Sequence, residues 1–326
     1  MNLLKVELTR LRWRRAALLI LLAAVVLPII FIAATAWNTR PLSDADIADA
    51  RSQLEMNQQY QQESVDDCVA HPRQNGLEPD DPKLEEVCRD MFLFEDDISN
   101  YLYRDQLSTP YALEGPGLST AVFMVLLAMI LGTTFAGADW ASGSMSNQLL
   151  FESRRARLWL AKAAAAAIGG VVLAVVGSAV FWSLYAGLAA IRDVPLAGSG
   201  DDVGALALRS LLFAGGAALM GFAVTMLFRS TVACLGLLLA GAIGGSILMS
   251  VLPFDDPERW MFHSNAAAVL QDGYEYWPRG DYICDMGDCS DAMVTLSLAH
   301  GVVYYAVLLA IVSALSIASF RRRDVP

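Results

Sequence analysis

Histidine is nearly absent from this chain: His71, His263 and His300 are the only three in 326 residues, and none stands in a nucleophile–base arrangement. There is no Gly-x4-Gly-Lys-Ser/Thr loop to cradle a phosphate, no Gly-x-Ser-x-Gly elbow and no His-Glu-x-x-His pair. These absences leave the chain itself without a sequence case for a phosphate-loop ATPase, an α/β-hydrolase or a His-Glu-x-x-His zinc protease. The chain is expected to be no enzyme and to bind no cofactor or metal of its own. Charge is also scarce. Charged residues make up 17% of the chain and apolar ones 56%, a balance too apolar for an ordinary soluble domain. No basic patch with interleaved aromatics appears, which argues against nucleic acid as a partner.

What the chain has instead is long apolar runs. Six stand out: Ala16–Trp37, Leu118–Ala138, Ala163–Ile191, Ala205–Phe228, Thr231–Leu252 and Met293–Phe320. Each is long enough to cross a bilayer, which takes about 20 residues. The fourth and fifth are parted only by Arg229 and Ser230 and read as a tight helical hairpin. Cations cluster at alternate connections: Lys5, Arg10, Arg12, Arg14 and Arg15 before the first run, Arg154, Arg155, Arg157 and Lys162 after the second, Arg229 after the fourth, and Arg321–Arg323 after the sixth. With six spans these places share one side, which the positive-inside rule assigns to the cytoplasm, with both termini there. The basic start, apolar stretch and Ala34-Thr35-Ala36 also resemble a cleavable signal peptide, but the apolar stretch is too long for a signal core. Span one (1–37 with its leading helix), span two (118–138), span three (163–191), span four (205–228), span five (231–252) and span six (293–320) therefore define an all-α multi-pass membrane protein with a tail at 321–326.

Two segments are expected outside. Residues 38–117 hold eighteen acids against six basic residues, which keep a small helical ectodomain soluble or form a cation-binding surface. Ser43 can cap a helix running to about Glu63, and Pro82 can open a second from Lys83 to about Phe94. Residues 253–292 are again acidic and carry Trp260, Tyr274, Tyr276 and Trp277, residues favoured at membrane interfaces. His263–Leu270 suits a short helix there. Four of the five cysteines fall in these segments, so two disulfides are expected, Cys68–Cys88 and Cys284–Cys289, with cross-segment pairing left open. A metal site at Cys284 and Cys289, beside Asp285 and Asp288, lacks a second cysteine or histidine cluster of zinc spacing. Cys234, in span five, reads as a small buried apolar residue.

The spans themselves are nearly free of charge. Arg209 and His300 lie a few residues inside their outer ends, either snorkelling to the interface or touching a substrate in an outward-facing cavity. No buried carboxylate is expected, so a proton path is not. Gly241 and Gly245 give a close-approach spacing on span five, for packing within the chain or between copies.

The loop 139–162 carries the sharpest pattern. Asp139, Gly143, Met145, Leu149, Leu150, Arg154 and Arg155 combine a negative charge near a helix start, an i,i+4 apolar pair and a basic return to the membrane. Asp139, Gly143, Leu149-Leu150, Ser153-Arg154 and Lys162 fall in the order and spacing of the first cytoplasmic loop in permease subunits of ABC-2 type ABC transporters, which this chain resembles. The chain departs from that pattern in having Asp139 for the usual Glu and Phe151-Glu152 where Pro is common. The resemblance extends to the six spans, the external segment between spans five and six, and the basic start. There, Leu4, Leu8 and Leu11 share one face beside Lys5, Arg12 and Trp13, a pattern suited to an in-plane helix. The resemblance implies an exporter permease in a bacterial plasma (inner) membrane. The seven loop residues would then dock on a separate ABC ATP-binding subunit that holds ATP and Mg. A second permease copy, identical or not, would complete the path for an amphipathic or apolar substrate, and an extra envelope subunit is a further possible partner. The alternative is a non-transporting, ATPase-driven protein that signals to the cell envelope through its ectodomain.

Overall fold

The computed structural model describes residues 3–80, 82–94, 96–102, 104–196, 200–252, 256–277 and 293–322. Six of its helices are long and apolar enough to span a membrane, and the chain is a multi-pass membrane protein. Two compact units emerge, one made of residues 1–35 and 107–326, the other of residues 36–106.

In the larger unit, α1 (Leu3–Arg12) turns at Trp13 into α2 (Arg15–Asn38). The chain re-enters through a short α5 (Thr109–Glu114) and α6 (Pro116–Ala141), then the surface helix α7 (Ser144–Phe151). The long helices α8 (Arg155–Ile191), α9 (Gly200–Phe228) and α10 (Thr231–Val251) follow. A short α11 (Phe262–Gln271) and α12 (Leu298–Arg322) complete it. Helix α8 starts before the apolar run beginning at Ala163, so Arg155, Arg157 and Lys162 lie on the same helix as that run.

Helices α6, α8 and α9 form the centre, with half or nearly half of their most apolar stretch buried, whereas α2, α10 and α12 bury only 6–11% of theirs. The central three meet backbone to backbone. A Cβ placed on Gly132 would stand 1.8 Å from the Ala218 carbonyl oxygen, and one on Gly170 would meet the Ala214 carbonyl oxygen at 2.7 Å. Such approach is how helices associate in lipid, where water supplies no driving force between them. Around these approaches stand the small side chains of Ala128, Ala214 and Ala218, all fully buried. By contrast Gly245 faces the Phe262 ring of the same chain, so part of the glycine spacing on α10 is used within the subunit.

Around α11 the structure departs from the all-α expectation. Tyr274–Tyr276 pairs antiparallel with Val294–Leu296, two short strands rich in aromatic and apolar side chains. Tyr276 and Leu296 point inward onto Ala268. Arg209 donates to the Leu270 carbonyl oxygen at 3.1 Å and pairs with Asp272 at 3.0 Å. It thereby satisfies the carboxyl end of α11. His300 is half-buried near the start of α12, where its backbone N–H meets Ser297 Oγ.

The smaller unit is helical. Ser43 caps α3 (Asp44–Ala70), accepting from the Asp46 amide, while Asp46 Oδ2 accepts from the Ser43 amide at 2.8 Å. The helix runs past Glu63 to Ala70 because Val65 and Cys68 there are buried against Leu77, Leu84 and Phe92; Pro72 then ends it. Cys68 is joined to Cys88 of α4 (Leu84–Phe92). Cys284 and Cys289 lie outside the described residues. The Asp46 carboxyl is held below its ordinary range, chiefly by Ser43, and that of Asp96 by Asn100 and Tyr101. Depressed carboxyls stabilise this unit above their unfolded value near about 4, and that contribution is lost as the pH falls through the lower folded value.

Two outcomes follow. Gly132→Ala is expected to lower the thermal stability of the detergent-solubilised chain by about 1–3 kcal/mol, because the added methyl meets backbone that has nowhere to move; unchanged melting would show the α6–α9 crossing to be loose. Reducing Cys68–Cys88 is expected to cost the smaller unit about 3 kcal/mol, read as faster proteolysis of residues 36–106; equal rates with and without reductant would contradict it.

Candidate functional site

The end of the bundle formed by α1, α7 and the facing ends of α6, α8 and α12 holds a buried ionic cluster. It begins with α1. Leu4, Leu8 and Leu11 pack on the core, and Leu11 reaches to where a Cβ on Gly169 of α8 would stand, 2.6 Å from its Cδ2. Glu7 lies on this same face and is 2% exposed. Its carboxylate receives the Lys162 ammonium at 2.8 Å, and the same ammonium reaches Asp139 at 2.5 Å. Lys162 is fully buried and its Nζ also stands 5.3 Å from the centre of the Phe135 ring. Two arginines close the cluster. Arg14 donates to Asp139 Oδ1 at 2.5 Å and to the Phe135 carbonyl oxygen at 2.7 Å. Arg10 donates to Asp139 Oδ1 at 3.2 Å and to Glu7 at 3.4 Å. Ser144, the first residue of α7, donates to Asp139 Oδ1 at 2.8 Å.

Two carboxylates and three cations thus join α1, the bend between α1 and α2, the end of α6, the start of α7 and α8. The expectation that no carboxylate would be buried is overturned by Glu7 and Asp139. Both are matched by cations at close range, which is the condition for burying charge at tolerable cost.

Asp139 does not cap a surface helix facing outward. It belongs to the last turn of α6 and is 1% exposed. Gly143 then breaks the helix at φ 67°, a left-handed conformation that favours glycine, and α7 starts at once. Met145 was expected on an outward contact face; it is buried in the chain's own core with Phe135, Trp159 and Phe320. Leu149, one turn on, packs on the same core. The face that carries Met145 and Leu149 therefore seats α7 on the bundle. The large apolar residues of α7 that point outward are Leu150, 83% exposed, and Phe151, 94% exposed. Arg154 is exposed beyond them, its amide bonded to Glu152, while Arg155 donates to the Phe320 carbonyl oxygen at 3.2 Å and ties α8 to the end of α12. Arg209 and His300 belong to the opposite connections and do not join this cluster.

Sequence reasoning passed over Glu7, and it passed over Phe151 except as a departure from the family pattern. Glu7 was legible: it stands three residues after Leu4 and four before Leu11, a carboxylate on an apolar helical face, which marks a buried partner. Phe151 gave no such signal, since exposure depends on which face of α7 the core accepts.

The cluster's worth is testable. Lys162→Met leaves two buried carboxylates short of a cation and is expected to destabilise the chain by about 3–5 kcal/mol, read by thermal unfolding in detergent. Glu7→Gln combined with Lys162→Met removes one charge of each sign and should recover part of that loss. A double variant less stable than Lys162→Met alone would show that Glu7 and Lys162 do not act as a pair.

No family model, curated protein or solved structure matches this chain.

Proposed function

We propose that this chain is the membrane-spanning permease subunit of an ATP-driven exporter of the ABC-2 type, and that Leu150 and Phe151 are where a separate ATP-binding subunit docks. The observation that carries the reading is the contrast within α7: one face is locked onto the bundle through Ser144, Met145 and Leu149, while two adjacent large apolar side chains stand in the open. Exposed apolar groups held on a rigid element are suited to partner contact. The helix is anchored to Asp139, so a push on α7 would reach α6, α8 and α1 together. A partner with different affinity for two packings of the bundle would then drive alternation between them. The order of Asp139, Gly143, Leu149-Leu150, Ser153-Arg154 and Lys162, similar to that of such permeases, supports the same assignment.

In this reading the cation-rich end is cytoplasmic, with both termini there, and the membrane is the plasma (inner) membrane of a bacterium. ATP and Mg belong to the partner. A second permease copy completes the path, and the substrate is amphipathic or apolar because the spans offer few charges away from the cluster. The two-unit division favours keeping one second reading: residues 36–106 have their own core and disulfide, as suits an ectodomain that passes a signal or holds an envelope subunit.

The test uses Leu150→Asp with Phe151→Asp. Both side chains are exposed, so the variant is expected to insert and melt like the parent. It should lose a co-purifying ATP-binding chain, with at least a tenfold drop in retained partner, because an unpaired charge in an apolar contact costs about 2 kcal/mol or more. A variant that keeps its partner and its transport rate would move the contact elsewhere. Retained partner and ATP hydrolysis without any exported substrate in the parent chain would favour signalling.

A further inference from the structure

We propose that the elbow between α1 and α2, formed by Arg12, Trp13 and Arg15, is a binding site for the headgroup phosphate of an anionic phospholipid. The inference needs the chain to lie in a membrane, not that it be an exporter.

The argument starts from how the chain sorts its arginines. Four stand within six residues: Arg10, Arg12, Arg14 and Arg15. Arg10 and Arg14 turn inward and are consumed by the buried cluster, both donating to Asp139. Arg12 and Arg15 turn outward and are exposed, with Lys5 on the outer side of α1 as well. Glu7 is the only acid before Asp44, and it is buried against Lys162. No carboxylate of α1 or α2 therefore accompanies the outward cations.

Trp13 sits between them at the break in the helix. It is 74% exposed, and the Arg12 guanidinium lies 5.7 Å from its ring centre. A large aromatic left in the open at a chain bend is unfavourable in water and favoured at the depth where headgroups meet acyl chains. The next turns of α2 fix that depth. Leu18, Leu19 and Leu22 are all exposed, and exposed leucines on a span face acyl chains. Arg12 and Arg15 thus stand about one turn above the apolar zone, at phosphate level. The other end of α2 repeats the pattern, with Arg40 4.7 Å from the centre of the exposed Trp37 ring. Helix α2 has 24 residues, about 36 Å at 1.5 Å each, enough for an apolar core of about 30 Å with an anchor at either end.

A lipid phosphate fits the elbow better than a protein carboxylate does. The two arginines flank an indole that is itself at home among lipids, and juxtamembrane cations attract anionic lipid at roughly fivefold in affinity apiece. Phosphatidylglycerol and phosphatidylcholine share a phosphate, but only the first carries net negative charge, so the site should prefer it.

The experiment is native mass spectrometry of the full chain in a neutral detergent, supplied with equal amounts of phosphatidylglycerol and phosphatidylcholine. The parent chain should retain phosphatidylglycerol preferentially. Arg12→Gln with Arg15→Gln should lose that preference by about thirtyfold, the product of two arginines. Arg12→Lys with Arg15→Lys should keep most of it, which separates lost charge from lost folding. Arg51→Gln with Arg73→Gln, equal in charge removed but located in the smaller unit, should leave it unchanged. Equal retention of the two lipids by the parent, or equal losses in the two glutamine variants, would overturn the site. So would displacement of phosphatidylglycerol by excess inorganic phosphate, which would mark a free-anion site instead of a headgroup site.

Discussion

Lys162 carries a positive charge at a fully buried position, and much of the structure at that end of the bundle is arranged to make this tolerable. Its ammonium needs anionic acceptors within hydrogen-bond reach, and Asp139 and Glu7 supply them at 2.5 and 2.8 Å. Those carboxylates need donors in turn, which brings in Arg14, Arg10 and Ser144. Each satisfied group ties down another segment. A buried charge left alone costs far more than a lost apolar contact, so the positions of α1, α6, α7 and α8 are specified together, whereas each apolar contact specifies only its own pair.

This cluster divides the molecule into a part that is fixed and a part that is offered. The same arginine-rich start is split by residue, with Arg10 and Arg14 drawn in and Arg12 and Arg15 left out. Helix α7 is split by face, with Met145 and Leu149 buried and Leu150 and Phe151 exposed. In both places the exposed groups are carried by an element whose other side is anchored. An anchored element transmits force where a loose loop would absorb it. That is the physical basis for reading α7 as an input for mechanical work and the α1–α2 elbow as a contact with the lipid surface.

The glycine crossings serve the other need. Among α6, α8 and α9 the backbones meet at Gly132 and Gly170, and small side chains around them leave little room for anything else at those points. Helices α2, α10 and α12 stay outside with apolar faces exposed. A rigid centre with outer helices suits a protein in which rearrangement happens around the centre.

Hydropathy is a property of consecutive residues, so the sequence by itself determined the six long apolar helices, the capped α3 opened by Ser43, and the separation of an acidic segment holding Cys68 and Cys88. The alternation of cation-rich connections was equally legible, and contacts such as those of Arg14 with Asp139 and of Arg155 with Phe320 bring several of them to one end. Burial is a property of neighbours distant in the chain, and only the tertiary structure decided it. Asp139 and Lys162 are 23 residues apart, and Glu7 and Lys162 are 155 apart; no local pattern announces that they meet. Whether Met145 or Phe151 faced outward depended on which side of an eight-residue helix found a core to sit on, and both are apolar. Where two faces of a helix are alike in composition, sequence leaves the choice open and packing makes it.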